Sequence, residues 1–237
     1  MREREYKECY IAFLDLLGFK ALIETGDTSC EKIAKLFDEI GRDFKVKIDN
    51  ENCDIMDFRQ LKKKIMSDTI CLYVEASVDN SLAGLIATCD YLQTGMLCYI
   101  KTPILIRGAI IKGKIFGEGD TTFGPGVSKA YLLEEKTAKY PRIIFTRNLI
   151  DEWETHDFYG KDYVDQYTYR DFDAFYAIDY MYHFYEDYCR ESIWRNFEKY
   201  VQDILDKETN LSIREKYLYL DQNIPRVIHK YRENYNA

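Results

Sequence analysis

RGAIIKGKIFGEGDTTFGPGVSKAYLLEEKTAKYPRIIFT, residues 107–146, is the stretch whose reading decides the fold. It begins within Ile104 to Gly113, a run apolar on both faces, as expected of a central strand covered on each side. Phe116 to Gly126 is glycine-rich and tight. Val127 to Ala138 returns to helical spacing, and Arg142 to Thr146 reads as a further strand.

Working toward the N-terminus, Asp79 to Tyr99 repeats apolar residues with a period near 3.6 (Leu82, Leu85, Ile86, Cys89, Leu92, Met96) and predicts a long helix closed by Pro103. Before it, Leu61 to Met66 and Thr69 to Glu75 read as two strands joined by a very short turn, with Ser67 and Asp68 at the corner. Ile33, Phe37, Ile40 and Phe44 predict a helix from about Thr28, capped by Asp27 or Thr28. The first apolar run, Tyr10 to Leu17, reads as a buried strand with Asp15 near its C-terminal edge. The order is βαββαβ with a further αβ, the ferredoxin-like split βαβ with an extension, so the fold class is α+β.

Toward the C-terminus the composition changes at Asp151 to a stretch rich in tyrosine, aspartate and phenylalanine, followed by helices at Glu186 to Asp206 and Leu211 to Tyr235. This suggests a first portion over residues 1–150 and a helical extension over 151–237. Trp194, Phe197, Val201 and Leu205 form a packing face, against the main sheet or a second subunit.

The whole chain has 237 residues, 46% apolar and 31% charged, enough for a sizeable core. A net charge of −8 argues against a nucleic-acid surface, while leaving room for one local cationic pocket. Seven scattered cysteines, an odd number, suit reduced thiols better than a disulfide framework, and no CxxC pair or histidine spacing suggests zinc. The polar N-terminus MREREYKE and the lack of a span-length apolar run lead us to expect a soluble, cytoplasmic protein without membrane association.

Two segments together resemble the class III adenylate and guanylate cyclase domain: AFLDLLGFKALIE (residues 12–24) and the 107–146 stretch. Asp15 and Phe19 match the family's strand-borne acid and the phenylalanine four residues on. Ser67 and Asp68 stand at its hairpin-tip Gly-Asp, and Arg107, Gly113 and Phe123 to Glu134 match its later signature. The resemblance implies that Asp15, the backbone at Leu16, and Asp68 hold two Mn2+ or Mg2+ ions, with Asp15, Asp68 and Arg107 in the catalytic set. It places Leu16, Gly18 and Phe19 beside the triphosphate, Lys64 and Thr121 at the base, and Ser128 at the nucleotide.

It further implies a homodimer with composite sites, a nucleoside triphosphate substrate, and a 3′,5′-cyclic monophosphate with pyrophosphate as products. Each acid also has a plainer reading, Asp15 as a helix cap and Asp68 as a turn residue, and the run Lys62 to Lys64 reads equally as a solvated face.

The sequence departs from the purine-cyclase pattern at Ser128, where the family has asparagine, and at Leu132, where it has a transition-state arginine. Lys20, Arg107, Lys129 and Arg142 are the nearby cations that could replace that arginine. With these departures, and no sensor or membrane domain, the chain looks most like the bacterial Pycsar pyrimidine cyclases. That likeness implies UTP or CTP as favoured substrate, ATP remaining possible, and a second-messenger role in antiphage defence. The alternatives are a cyclase-fold module that binds nucleotide or a partner without turnover, and a ferredoxin-like scaffold with no ligand.

Overall fold

A computed structural model describes residues 5–19, 31, 34, 60–98, 104–119, 121–156 and 160–235. The helix expected from Thr28 to Phe44 lies almost wholly outside these residues, as does Lys20. In chain order the elements are β1 (Lys7–Leu17), β2 (Lys62–Met66), β3 (Thr69–Glu75), α1 (Ser81–Leu97), β4 (Leu105–Glu118), β5 (Thr121–Phe123), α2 (Pro125–Thr137) and β6 (Ile143–Phe145). They continue with α3 (Arg147–His156), α4 (Gly160–Tyr167), β7 (Thr168–Arg170), β8 (Tyr176–Ile178), α5 (Tyr180–Tyr188), α6 (Ser192–Lys207) and α7 (Leu211–Tyr235).

The strands form one sheet in the order β2-β3-β1-β4-β6-β8-β7, with β5 folded onto the far end of β4. β4 and β6 run parallel, and the other pairs are antiparallel. Alternation along β1 sorts its side chains between the two faces. Tyr10, Ala12, Leu14 and Leu16 enter the main core with α1 and the C-terminal helices, while Cys9, Ile11 and Phe13 pack with Cys71, Tyr73, Ile115 and Ala130 beneath α2. By the same alternation Asp15, and Arg107 opposite it on β4, belong to the α2 face.

β4 runs five residues past the expected end at Gly113, because that glycine is a packing position rather than a stop. A Cβ on Gly113 would lie 2.8 Å from the Gly126 Cα, so α2 rests directly on the strand backbone. The helix expected over Glu186 to Asp206 divides at Cys189–Glu191 into α5 and α6.

The tail carries two strands that sequence periodicity did not reveal. β8 pairs with β6 and β7 with β8, so residues beyond 150 extend the same sheet. α7 is fastened to them by ions: Asp179, fully buried, accepts from Arg226 at 2.7 Å and from Lys230 at 2.9 Å. Burial alone would raise the Asp179 pKa, but the two cations hold it below the ordinary carboxylate value. Arg142, also fully buried, bonds Asp171 and Asp173 and lies over the rings of Tyr140, Phe172 and Tyr219. It is therefore consumed as a structural staple and is removed from the candidates for replacement charge.

Candidate functional site

Three elements deliver acids to one end of the sheet. β1 ends with Asp15, which faces Thr69 on one side and Arg107 on the other. The β2–β3 turn carries Asp68, whose carbonyl accepts the Leu16 N–H at 2.9 Å and so pins the hairpin tip to β1. Ser67, preceding it, sits at φ +57°, the left-handed region that glycine adopts freely. α2 brings Glu134, which is 3% exposed.

Arg107 organises this cluster. Its Nε donates to Asp15 Oδ2 at 2.8 Å and lies 2.8 Å from Glu134 Oε1. The Nε proton points at Asp15, so Glu134 Oε1 has charge contact with Arg107 yet no hydrogen bond of its own. Burial lifts the Glu134 pKa to about 7; Arg107 opposes the rise, and Asp15, Glu135 and Asp68 add to it. Sequence reading named Arg107 but gave Glu134 no role, although it closes the FGPxVxxAxxLE match.

The remaining predicted residues fall in three places. The Leu16 side chain is buried in the core, so it reaches the site only through its backbone. Gly18 follows at φ +82° and turns the chain, and Phe19 is buried; the helix N-terminus expected beyond it lies outside the described residues. Lys64, on β2, donates to the Gly119 carbonyl at 2.6 Å, which draws it to the β4–β5 hairpin. Gly119 and Thr121 line an open cleft of about 490 Å³ with Tyr6, Phe116 and Phe123, so Lys64 and Thr121 do converge on one corner. Ser128 and Leu132 lie exposed on α2.

The donor set fits hard divalent cations that keep water and phosphate oxygens among their ligands: two carboxylates at one sheet end, beside a third that is buried and short of a hydrogen bond. Among the described residues no three His, Cys, Asp or Glu side chains gather tightly enough to hold an ion by themselves. No helix among the described residues is long and apolar enough to cross a membrane.

The sequence matches no protein-family model, and no curated protein matches it. Solved structures are similar in shape. The adenylyl cyclase CyaB from P. aeruginosa superposes with a TM-score of 0.51 at 14% identity, covering 74% of this chain and 95% of that one. A bacterial light-regulated adenylyl cyclase gives 0.47 at 15% identity, covering 74% and 92%. The catalytic core of a rhodopsin-guanylyl cyclase gives 0.44 at 18% identity, covering 62% and 80%. In fold, the chain is an α+β protein similar to the adenylyl cyclase CyaB, with a helical C-terminal segment.

Proposed function

We propose that the chain is a metal-dependent nucleotidyl cyclase, turning a nucleoside triphosphate into a 3′,5′-cyclic monophosphate and pyrophosphate. The observation that carries this reading is the convergence of Asp15 and Asp68 at one end of a cyclase-like sheet, tied together by the Leu16 to Asp68 backbone bond. Asp15, Asp68 and the Leu16 backbone would hold two Mn2+ or Mg2+ ions, which when bound would activate the 3′-hydroxyl and neutralise charge on the leaving pyrophosphate. Arg107 orients Asp15 through its Nε, and the buried Glu134 holds a charge contact with that same nitrogen. Lys64 and Thr121 read the base, and Ser128, exposed on α2, meets the nucleotide across a homodimer.

In this reading residues 1–150 carry the catalysis and 151–237 are an extension built onto the same sheet. UTP or CTP is the favoured substrate, ATP the less favoured, and the product is a second messenger in antiphage defence. Support for the pyrimidine choice comes from the altered positions Ser128 and Leu132. Leu132 also favours a second reading, a nucleotide-binding module without turnover, because a side chain 43% exposed and apolar stands where the family has an arginine.

Incubating the protein with each of the four ribonucleoside triphosphates and Mn2+ tests both readings. Cyclic UMP or cyclic CMP as main product supports the first. Metal-dependent nucleotide binding with no cyclic product from any of the four would leave only the second.

A further inference from the structure

Away from the candidate site, one buried ion pair joins the C-terminal segment to the main core. α1 packs against α4 and α5 and carries a single charged residue, Asp90. That residue is 8% exposed, and the His183 Nδ1 of α5 donates to its Oδ1 at 2.8 Å. His183 is itself 9% exposed, and the ring of Tyr167 from α4 lies 4.9 Å from it, centroid to centroid. The other ring nitrogen, Nε2, is buried with no hydrogen-bond partner. So is Thr94 Oγ1, one turn beyond Asp90 on the same side of α1.

Charges reach the imidazole from each surrounding element. α1 supplies Asp90, and α5 supplies Glu186 and Asp187. Asp179, just before α5, adds a third direction and is held in turn by Arg226 and Lys230 of α7. Burial works against a charge on the ring, while Asp90, then Asp179 and Glu186, favour it; the folded pKa lies above the ordinary histidine value. Asp187 responds to the same charge: burial and Glu186 raise its carboxyl, and His183 opposes them. A neutral imidazole still donates one hydrogen bond to Asp90, but the buried carboxylate then loses its counter-charge, and an uncompensated buried charge is costly.

We propose that Asp90 and His183 form a proton-operated latch, closed when the imidazole is charged, that fixes α4 and α5 of the C-terminal segment onto α1 of the main core. Raising the pH opens the latch and loosens that packing. Arginine and lysine keep their charges over the same range, so the cluster at Asp179 goes on holding α7. Because the folded pKa of His183 lies above the unfolded value of about 6.5, the pair's contribution is fully present below that pH and is lost as pH rises through the folded value. The latch involves no nucleotide and stands apart from the cyclase reading.

Amide exchange along α4 and α5 tests it, compared between wild type and His183→Gln at the same pH. The chemical pH dependence of exchange and the contribution of Glu134 are common to both proteins and cancel from the ratio. At about pH 5.5 the variant should exchange about tenfold faster, the factor that a one-unit difference between folded and unfolded pKa supplies, and at about pH 9 the two proteins should converge. The imidazole resonances give a second reading in the wild-type protein: the His183 midpoint should lie above 6.5, and Asp90→Asn should lower it.

An exchange ratio that does not vary with pH, a wild-type His183 midpoint at or below 6.5, or a midpoint unmoved by Asp90→Asn overturns the inference.

Discussion

Arg107 Nε donates to Asp15 Oδ2 at 2.8 Å, a bond between neighbouring strands that aims the acid at the end of the sheet. The same nitrogen lies 2.8 Å from the buried Glu134. One guanidinium thus couples the proposed metal ligand to the helix that covers the sheet.

Removing Arg107 should therefore cost stability as well as activity. Arg107→Met leaves Glu134 buried beside two other acids with no cation, and we expect a loss of about 2–3 kcal/mol, at the lower end for a pair that is only partly buried. Adding Glu134→Gln should recover much of that stability without restoring activity. Denaturant titration of the single and double variants checks this; an additive double variant would mean that the two residues are not coupled.

Glu134 gives the protein a specific pH dependence. Its folded pKa, about 7, lies above the unfolded value near 4.5, so the folded state binds the extra proton between those two values. The stability it contributes is fully present below pH 4.5 and is lost as pH rises through about 7. A difference of that size between the folded and unfolded pKa corresponds to a stability change on the order of 3 kcal/mol. Glu134→Gln should match the wild type at pH 4.5 and exceed it at pH 8. Melting curves of the two proteins across that range would contradict this if their difference did not vary with pH.

The contact between β4 and α2 predicts intolerance at Gly113. Alanine there would place its Cβ 2.8 Å from the Gly126 Cα, a backbone atom that cannot rotate away. Gly113→Ala should cost about 1–3 kcal/mol, as overpacking of a filled interior does. Gly119→Ala, at a turn with open space, should cost less than Gly113→Ala despite its φ of +53°. Urea midpoints compare them, and equal costs would count against the packing argument.

Asp179 clamps α7 through Arg226 and Lys230. Asp179→Asn leaves two cations facing a neutral amide in a buried site, and a loss of about 3 kcal/mol is expected, with faster amide exchange along α7. Hydrogen exchange that stayed slow in α7 would show that the ion cluster is not what holds the helix.

Strong periodicity made most of the described part of residues 1–150 readable in sequence. Tyr10 to Leu17, the two strands around Ser67 and Asp68, and the helix after the FGPG turn all fall within a few residues of β1, β2, β3 and α2. α7 was readable too, because its 25 residues repeat an apolar face long enough to detect. β7 and β8 were not, since three residues each leave no room for an alternation to declare itself. The break between α5 and α6 carries neither glycine nor proline, so the two helices read as one. Arg142 reads in sequence as a cation able to replace the absent arginine, because only tertiary packing brings Asp171, Asp173 and Tyr219 around it.

The role of Asp15 and Asp68 as a metal pair is decided by cyclic nucleotide production in the wild-type protein beside Asp15→Asn and Asp68→Asn, assayed with Mn2+ and with chelator. We expect metal-dependent cyclic monophosphate and pyrophosphate from the wild type, and loss of at least about a hundredfold in each variant with the fold retained. Full activity in either folded variant, or undiminished activity in chelator, would contradict it.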